Sequence, residues 1–136
     1  MRNAVIAYVS SLASFLVLDA IWLGTMASRV YKPLMGDLVL DRFLLLPAVL
    51  FYLIYGVGLV VFGVQSGLTS GRPVMALVYG GLFGLIAYAT YDLTNQATLK
   101  NWPVTITVLD MAWGMIASAI AAYVGTLVTL WFTNRG

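Results

Sequence analysis

The sequence contains no cysteine, no histidine and no glutamate, so five aspartates are its only acidic side chains. The absence of cysteine excludes a disulfide framework, a thiolate nucleophile and a zinc ribbon. Without histidine, the chain also lacks the most common catalytic base and metal ligand. No aspartate-rich motif of recognisable metal-binding spacing compensates for this, so we expect neither a metal site nor a cofactor.

Charged side chains are also scarce. They make up 9% of the 136 residues, whereas 62% of the residues are hydrophobic. A soluble globular domain has about 25% charged residues, and so few charges cannot cover a surface that faces water. The composition therefore predicts an integral membrane protein. The net charge of +2 is spread without a basic cluster, so we expect no nucleic-acid partner.

Long uncharged runs divide the chain into four apolar segments, each close to or above the ~20 residues that cross ~30 Å of hydrocarbon as a helix. They predict transmembrane helices near 4–26, 43–65, 74–98 and 104–132. We expect an all-α fold, a four-helix bundle that forms one membrane domain over residues 1–136. A cleaved signal peptide is the alternative for the first segment, but its apolar run exceeds a ~7–15-residue h-region and no clear cleavage site follows it.

Short links join these predicted helices. The longest link, 27–42, contains Pro33 and Gly36, and its residues 38–40 (LVL) would let it lie on the membrane interface as a short amphipathic turn. Residues 65–73 are rich in Ser, Thr and Gly, which is typical of a tight polar turn. Because the basic residues divide almost evenly between the two sides, the positive-inside rule does not determine the orientation.

Small residues indicate where the helices touch. Pairs of small residues four positions apart occur on the third and fourth segments: Gly80 and Gly84, Gly114 and Ser118, and Ala121 and Gly125. This spacing permits close approach of two helix backbones. The simpler interpretation is that membrane helices are rich in glycine and alanine in general.

Three of the five aspartates fall inside the apolar segments or at their edges. Asp19 lies near the end of the first predicted helix, Asp92 near the end of the third, and Asp110 near the start of the fourth. In four alternating passes these positions are on the same side of the membrane. A charged side chain within the bilayer usually faces the bundle interior, so we expect one interior layer of carboxyls whose joint ionisation is disfavoured by repulsion.

Polar and aromatic side chains accompany the acids at helical spacing. Tyr88, Asn95 and Gln96 share a helix face with Asp92, and Thr107 lies one turn before Asp110. We expect Asn95, Gln96, Thr107, Tyr88 and the tryptophan N–H groups to provide hydrogen-bond donors to the carboxyl layer.

A short motif, Leu-Asp-x-x-Trp, occurs twice. It contains Asp19 and Trp22 on the first segment, and Asp110 and Trp113 on the fourth. These helices run antiparallel, so the two copies form an inverted pair, as in transporters that are built from inverted repeats. Two short matches in apolar sequence are also compatible with coincidence. In either case we expect both indoles to point into the bundle.

These side chains form the candidate ligand site. It consists of Asp19, Trp22, Tyr88, Asp92, Asn95, Asp110 and Trp113. The competing interpretation is structural, because a closed hydrogen-bond network would also hold four helices in register. Trp102 and Trp131 lie near helix ends, and we interpret them as interfacial anchors rather than site residues.

Three stretches carry a resemblance to a known family: LDAIWLG at 18–24, YDLTNQATL at 91–99 and LDMAWG at 109–114. With these stretches the chain resembles, over nearly its whole length, the bacterial predicted membrane proteins grouped as domain of unknown function 2177. The resemblance implies a small multi-pass protein of the bacterial cytoplasmic (inner) membrane. It assigns no catalytic or binding role to any residue.

Three functions are compatible with the sequence. The favoured one is binding or transport of a cation, a proton or a small amphiphilic ligand, with aromatic faces available for cation–π contact; transport by four passes would require a homo-oligomer. A lipid-modifying enzyme with Mg²⁺ on the aspartates is the second, and it is disfavoured because His, Cys and Glu are absent as base or nucleophile. The third is an accessory subunit of a larger membrane complex. Membrane lipids are expected partners in every case.

Overall fold

The computed structural model describes residues 2–36 and 44–135. This part of the chain forms four long helices and contains no strand: α1 (Arg2–Met35), α2 (Leu45–Ser70), α3 (Pro73–Thr98) and α4 (Val104–Arg135). All four are long and apolar enough to cross a membrane. The predicted all-α, four-span membrane fold is therefore confirmed. Asp37, Asp41 and Arg42, in the predicted first link, lie outside the described residues.

Helix α1 continues well beyond the predicted boundary at residue 26. Residues Ala27–Tyr31 form a π-helical stretch, and Lys32–Met35 return to α-helix. Pro33 stands in the first turn of that last segment, where its missing N–H is tolerated. The helix ends at Gly36, which has φ +59°. Residues 27–35 are therefore helical and not part of a link. Residues 38–40, on which the expected interfacial turn rests, lie outside the described residues.

Helix α2 also extends past its predicted end, to Ser70. The hydroxyl of Ser66 donates to the carbonyl of Phe62 at 3.1 Å, and that of Ser70 donates to the carbonyl of Ser66 at 2.7 Å. These polar side chains are satisfied within the helix and do not terminate it. Gly71, with φ +69°, provides the left-handed cap. The predicted polar turn over 65–73 is reduced to residues 71 and 72.

The seam between α3 and α4 is built on small residues. A Cβ at Gly84 would lie 2.2 Å from the carbonyl oxygen of Gly114, and one at Gly80 would lie 2.6 Å from Cβ of Ala122. Further along α4, Gly125 packs in the same way against Ser11 of α1. Close backbone approach thus replaces large side chains at these contacts.

The interior and the outer surface differ as a membrane bundle requires. Large apolar side chains point outward; Leu45, Leu46 and Ile54 of α2 are 76%, 72% and 70% exposed. Such exposure is unfavourable in water but not in hydrocarbon. Inside, the buried hydroxyls of Thr126 and Thr129 donate to carbonyls of their own helix at 2.9 and 2.7 Å. These two core hydroxyls are therefore paired within their own helix.

Candidate functional site

The carboxyl of Asp19 is buried and receives two hydrogen bonds. The Tyr52 hydroxyl of α2 donates to Oδ2, and the Trp113 indole Nε1 of α4 donates to Oδ1 at 3.2 Å. Asp19 itself is only 7% exposed. One carboxyl therefore joins three helices, and both of its oxygens are satisfied.

The carboxyl of Asp110 is held from α1. The Tyr31 hydroxyl donates to Oδ1 at 2.9 Å and in turn accepts the indole N–H of Trp22 at 3.0 Å. Asp110 is half-buried and lines a cavity. Sequence reasoning missed Tyr31, because it placed that residue in a link outside the helix.

The π-helical stretch of α1 explains how Tyr31 reaches this position. At 3.6 residues per turn, two residues nine positions apart point in directions about 180° apart. A π-bulge accommodates one extra residue in a turn. The nine-residue step from Trp22 to Tyr31 therefore has the rotation of an eight-residue step, which places the two side chains about 80° apart around the helix axis. The bulge over Ala27–Tyr31 thus turns the Tyr31 hydroxyl towards the Trp22 indole.

The two copies of the Leu-Asp-x-x-Trp motif contact each other through their tryptophans. The indoles of Trp22 and Trp113 stack between α1 and α4, with centroids 4.5 Å apart and an interplanar angle of 5°. Trp113 donates directly to Asp19, whereas Trp22 reaches Asp110 through Tyr31. Each tryptophan therefore supports the acid of the opposite motif and not the acid of its own helix.

Asp92 has a different environment from the other two acids. Its side chain is 0% exposed, and neither carboxyl oxygen has a hydrogen-bond donor among the described residues. The carboxyl of Asp110 lies within hydrogen-bonding range of it. Two acceptor groups thus face each other, and no lysine or arginine of the described ranges pairs with them.

The expected donors to the acids are mostly engaged elsewhere. Asn95 interacts with the hydroxyl of Tyr91, and Gln96 is exposed. Thr107 accepts the indole N–H of Trp102 at 3.0 Å. The donors that the structure provides are tyrosine hydroxyls and an indole N–H group, and the expected indole donation is confirmed for Trp113. The expectation for Asn95, Gln96 and Thr107 was wrong, because side-chain direction along α3 and α4 depends on how the helices pack.

Trp102 is buried at 8% exposure, and its ring meets that of Tyr91 edge-on, with centroids 5.8 Å apart. The indole therefore packs at the end of the α3–α4 seam, and its place at the membrane boundary stays a prediction. Trp131, by contrast, is half exposed near the end of α4, where it packs edge-on against Phe132.

A cavity of about 370 Å³ lies beside the carboxyl pair. It is lined by Phe51, Ala87, Tyr88, Tyr91 and Asp110. Tyr88 lies within electrostatic range of both Asp19 and Asp110. Its ring packs so closely on Gly114 that a Cβ there would lie 2.3 Å from the ring. Three helices thus build an aromatic wall around one accessible carboxyl.

The acidic layer divides into two parts. Among the described residues, no three acidic side chains come close enough to hold a metal ion together. Asp19 belongs to the tryptophan and tyrosine network, whereas Asp92 and Asp110 form a pair beside the cavity. A chemical role for the site therefore rests on two carboxyls, one buried and one accessible.

Sequence reasoning missed four aromatic residues of the site: Tyr31, Tyr52, Phe51 and Tyr91. A usable signal was present for three of them. Phe51 and Tyr52 follow the start of the second apolar run, and Tyr91 precedes the end of the third. In an alternating topology, these positions lie at the depth of the three acids.

Comparisons with known proteins identify the family of this chain. It shows no significant match to a curated protein or to a solved structure. The sequence profile described as "Predicted membrane protein (DUF2177)" matches residues 4–127, which include α2, α3, most of α1 and α4, and every residue of the site. The chain therefore belongs to this family of predicted membrane proteins.

Proposed function

We propose that this protein, in the inner membrane of a bacterium, binds a small amphiphilic ligand that carries a cationic amine. The observation behind the proposal is the cavity in which the carboxyl of Asp110 stands among the rings of Phe51, Tyr88 and Tyr91. Aromatic faces with one carboxylate attract ammonium groups, quaternary ones above all. The apolar remainder of the cavity suits an alkyl chain.

The size and position of the cavity support an amphiphile. Its volume of about 370 Å³ lies at the small end of the ~300–1,000 Å³ range of ligand pockets. Phe51 and Tyr91 are 44% and 54% exposed, so the wall is continuous with the outer surface of the bundle. A ligand dissolved in the membrane can therefore enter sideways, with its headgroup towards Asp110.

Binding fits the site better than catalysis does. Asp19 has both oxygens occupied by donors, and Asp92 is fully buried, so Asp110 is the acid of the three that lines the cavity. General acid–base chemistry on a lipid would need a second accessible group in position. A single accessible carboxylate is sufficient to recognise a cation.

We expect Asp110→Asn to weaken binding of dodecyltrimethylammonium at least tenfold, because the variant removes the charge that the ammonium faces. The asparagine oxygen can still accept from Tyr31, so the bundle should remain folded. The measurement is a titration of purified protein in maltoside micelles, followed by intrinsic fluorescence. 1-Dodecanol is the uncharged control, and its affinity should not change. Equal affinity of wild type and Asp110→Asn for the cation would refute the proposal.

The aromatic part of the proposal has its own test on α2. Phe51→Leu keeps an apolar side chain but removes the ring, and a cation–π contact of about 0.5–2 kcal/mol predicts a severalfold weaker binding of the cation. Phe62→Leu is the matched control, since Phe62 is 56% exposed on the same helix and stacks on Phe83. Tetramethylammonium, used as a competitor, separates recognition of a free cation from recognition of a lipid-like amphiphile.

A further inference from the structure

We propose that Asp92 is a positioning residue that stays protonated and donates its proton to the carboxylate of Asp110, so that the pair carries one negative charge at the cavity wall. The inference rests on the proposed function for its purpose, which is to present a single charge to a monocation. Its chemical content, a neutral Asp92 beside an ionised Asp110, can be tested without any ligand.

Asp92 lies in surroundings that disfavour its ionised form. Its side chain is 0% exposed and both carboxyl oxygens lack a donor among the described residues. An ionised carboxylate in such surroundings loses its hydration without compensation, which is strongly unfavourable. A proton on Asp92 removes the charge and converts one of the unpaired oxygens into a donor.

Asp110 is the neighbour that can accept a hydrogen bond from Asp92. The carboxyl of Asp110 lies within hydrogen-bonding range, and two carboxylates at that distance cannot both be ionised in a low-dielectric site. One shared proton turns this repulsive contact into a hydrogen bond. The arrangement needs no other cation to balance the second carboxyl.

The position of the shared proton follows from the surroundings of each acid. Asp110 accepts a hydrogen bond from the Tyr31 hydroxyl at 2.9 Å, and Asp92 has no such donor among the described residues. Within the described ranges, the other ionisable groups that face the pair are hydroxyls: Tyr31 from α1, Tyr91 from α3 and Tyr88 beside Asp110. From α2, Phe51 faces Asp110 and has no charge. Asp92, without a donor, therefore holds the proton.

This arrangement defines what the site selects. A pair with one negative charge matches a ligand with one positive charge, and the complex is then neutral within the membrane. A fully ionised pair would instead favour a divalent cation such as Mg²⁺ on its hard oxygen ligands. We therefore expect millimolar Mg²⁺ not to displace dodecyltrimethylammonium from the wild-type protein.

Infrared spectroscopy of the ligand-free protein in micelles at neutral pH tests the protonation directly. We expect the carbonyl stretching band of a protonated carboxyl in the wild type, its loss in Asp92→Asn, and its retention in Asp19→Asn. A spectrum in which Asp92→Asn removes no such band would overturn the inference, whether or not the protein binds a cation.

Binding of dodecyltrimethylammonium then tests the positioning role. The amide introduced by Asp92→Asn keeps a donor towards Asp110, so this variant should bind within about threefold of the wild type. The side chain introduced by Asp92→Leu has no donor, and this variant should raise Kd about tenfold or more, although both variants lose the same carboxyl. Equal increases in Kd for Asp92→Asn and Asp92→Leu would show that Asp92 acts through a charge and would overturn the positioning role. If the wild type itself does not bind the probe, the proposed function fails, and the infrared result still decides the protonation.

Discussion

Gly84→Ala is expected to destabilise the bundle by about 1–3 kcal/mol or more, the cost of overpacking a tight contact. The new Cβ would lie 2.2 Å from the carbonyl oxygen of Gly114 and 2.7 Å from Cβ of Ser118. A backbone carbonyl cannot rotate away, so α3 and α4 must separate. Because Tyr88 packs on Gly114, the same separation should also disturb the cavity wall. Thermal unfolding in micelles, followed by circular dichroism, measures the effect.

Gly24→Ala is the matched control for this prediction. A Cβ at Gly24 meets nothing within 4 Å, and alanine is the better helix former by up to about 1 kcal/mol. We therefore expect Gly24→Ala to be neutral or slightly stabilising. Equal melting temperatures of Gly84→Ala and Gly24→Ala would mean that the close α3–α4 approach does not exist.

Asp19→Leu should remove the acceptor that joins α1, α2 and α4. It leaves the Tyr52 hydroxyl and the Trp113 indole N–H without a partner, and each unsatisfied buried donor costs about 1–3 kcal/mol. Asp19→Asn should cost less, because its amide oxygen can still accept one of the two hydrogen bonds. Unfolding midpoints of the two variants in the same micelles provide the comparison.

A double-mutant cycle separates this effect from the loss of packing. Adding Tyr52→Phe to Asp19→Leu removes one of the orphaned donors, so the double variant should be more stable than the sum of the two single effects predicts. Strict additivity would show that Tyr52 and Asp19 are not coupled. Ser66→Ala, in a helix-internal hydrogen bond on the exposed side of α2, should show no coupling to Asp19→Leu.

The candidate site combines a structural part and a part open to ligands. Asp19, Tyr52 and the stacked indoles of Trp22 and Trp113 form a satisfied network, which is what the structural interpretation of the sequence expected. Asp92 and Asp110 do not fit that interpretation, since the buried Asp92 has no donor among the described residues and Asp110 borders the cavity. The two interpretations therefore apply to different acids.

Much of the fold follows from local composition. Long uncharged runs can only be satisfied as helices in hydrocarbon, so the existence and order of four spans are determined by the sequence. Helix ends are less well determined. Ser66 satisfies its hydroxyl inside α2, which continues to Ser70, and Pro33 lies within α1, which continues to Met35.

The candidate site is also predictable from the sequence only in part. The sequence predicts that Asp19, Asp92 and Asp110 lie on one side of the membrane, because alternating topology converts the position of an acid along its helix into a side of the membrane. Which groups meet these acids depends on the packing of the helices. The rotation of Tyr31 by a π-bulge, the stacking of Trp22 on Trp113 and the burial of Asp92 away from the donors of the described helices depend on how the helices turn towards each other. That rotation is set by contacts between helices, which no local pattern encodes.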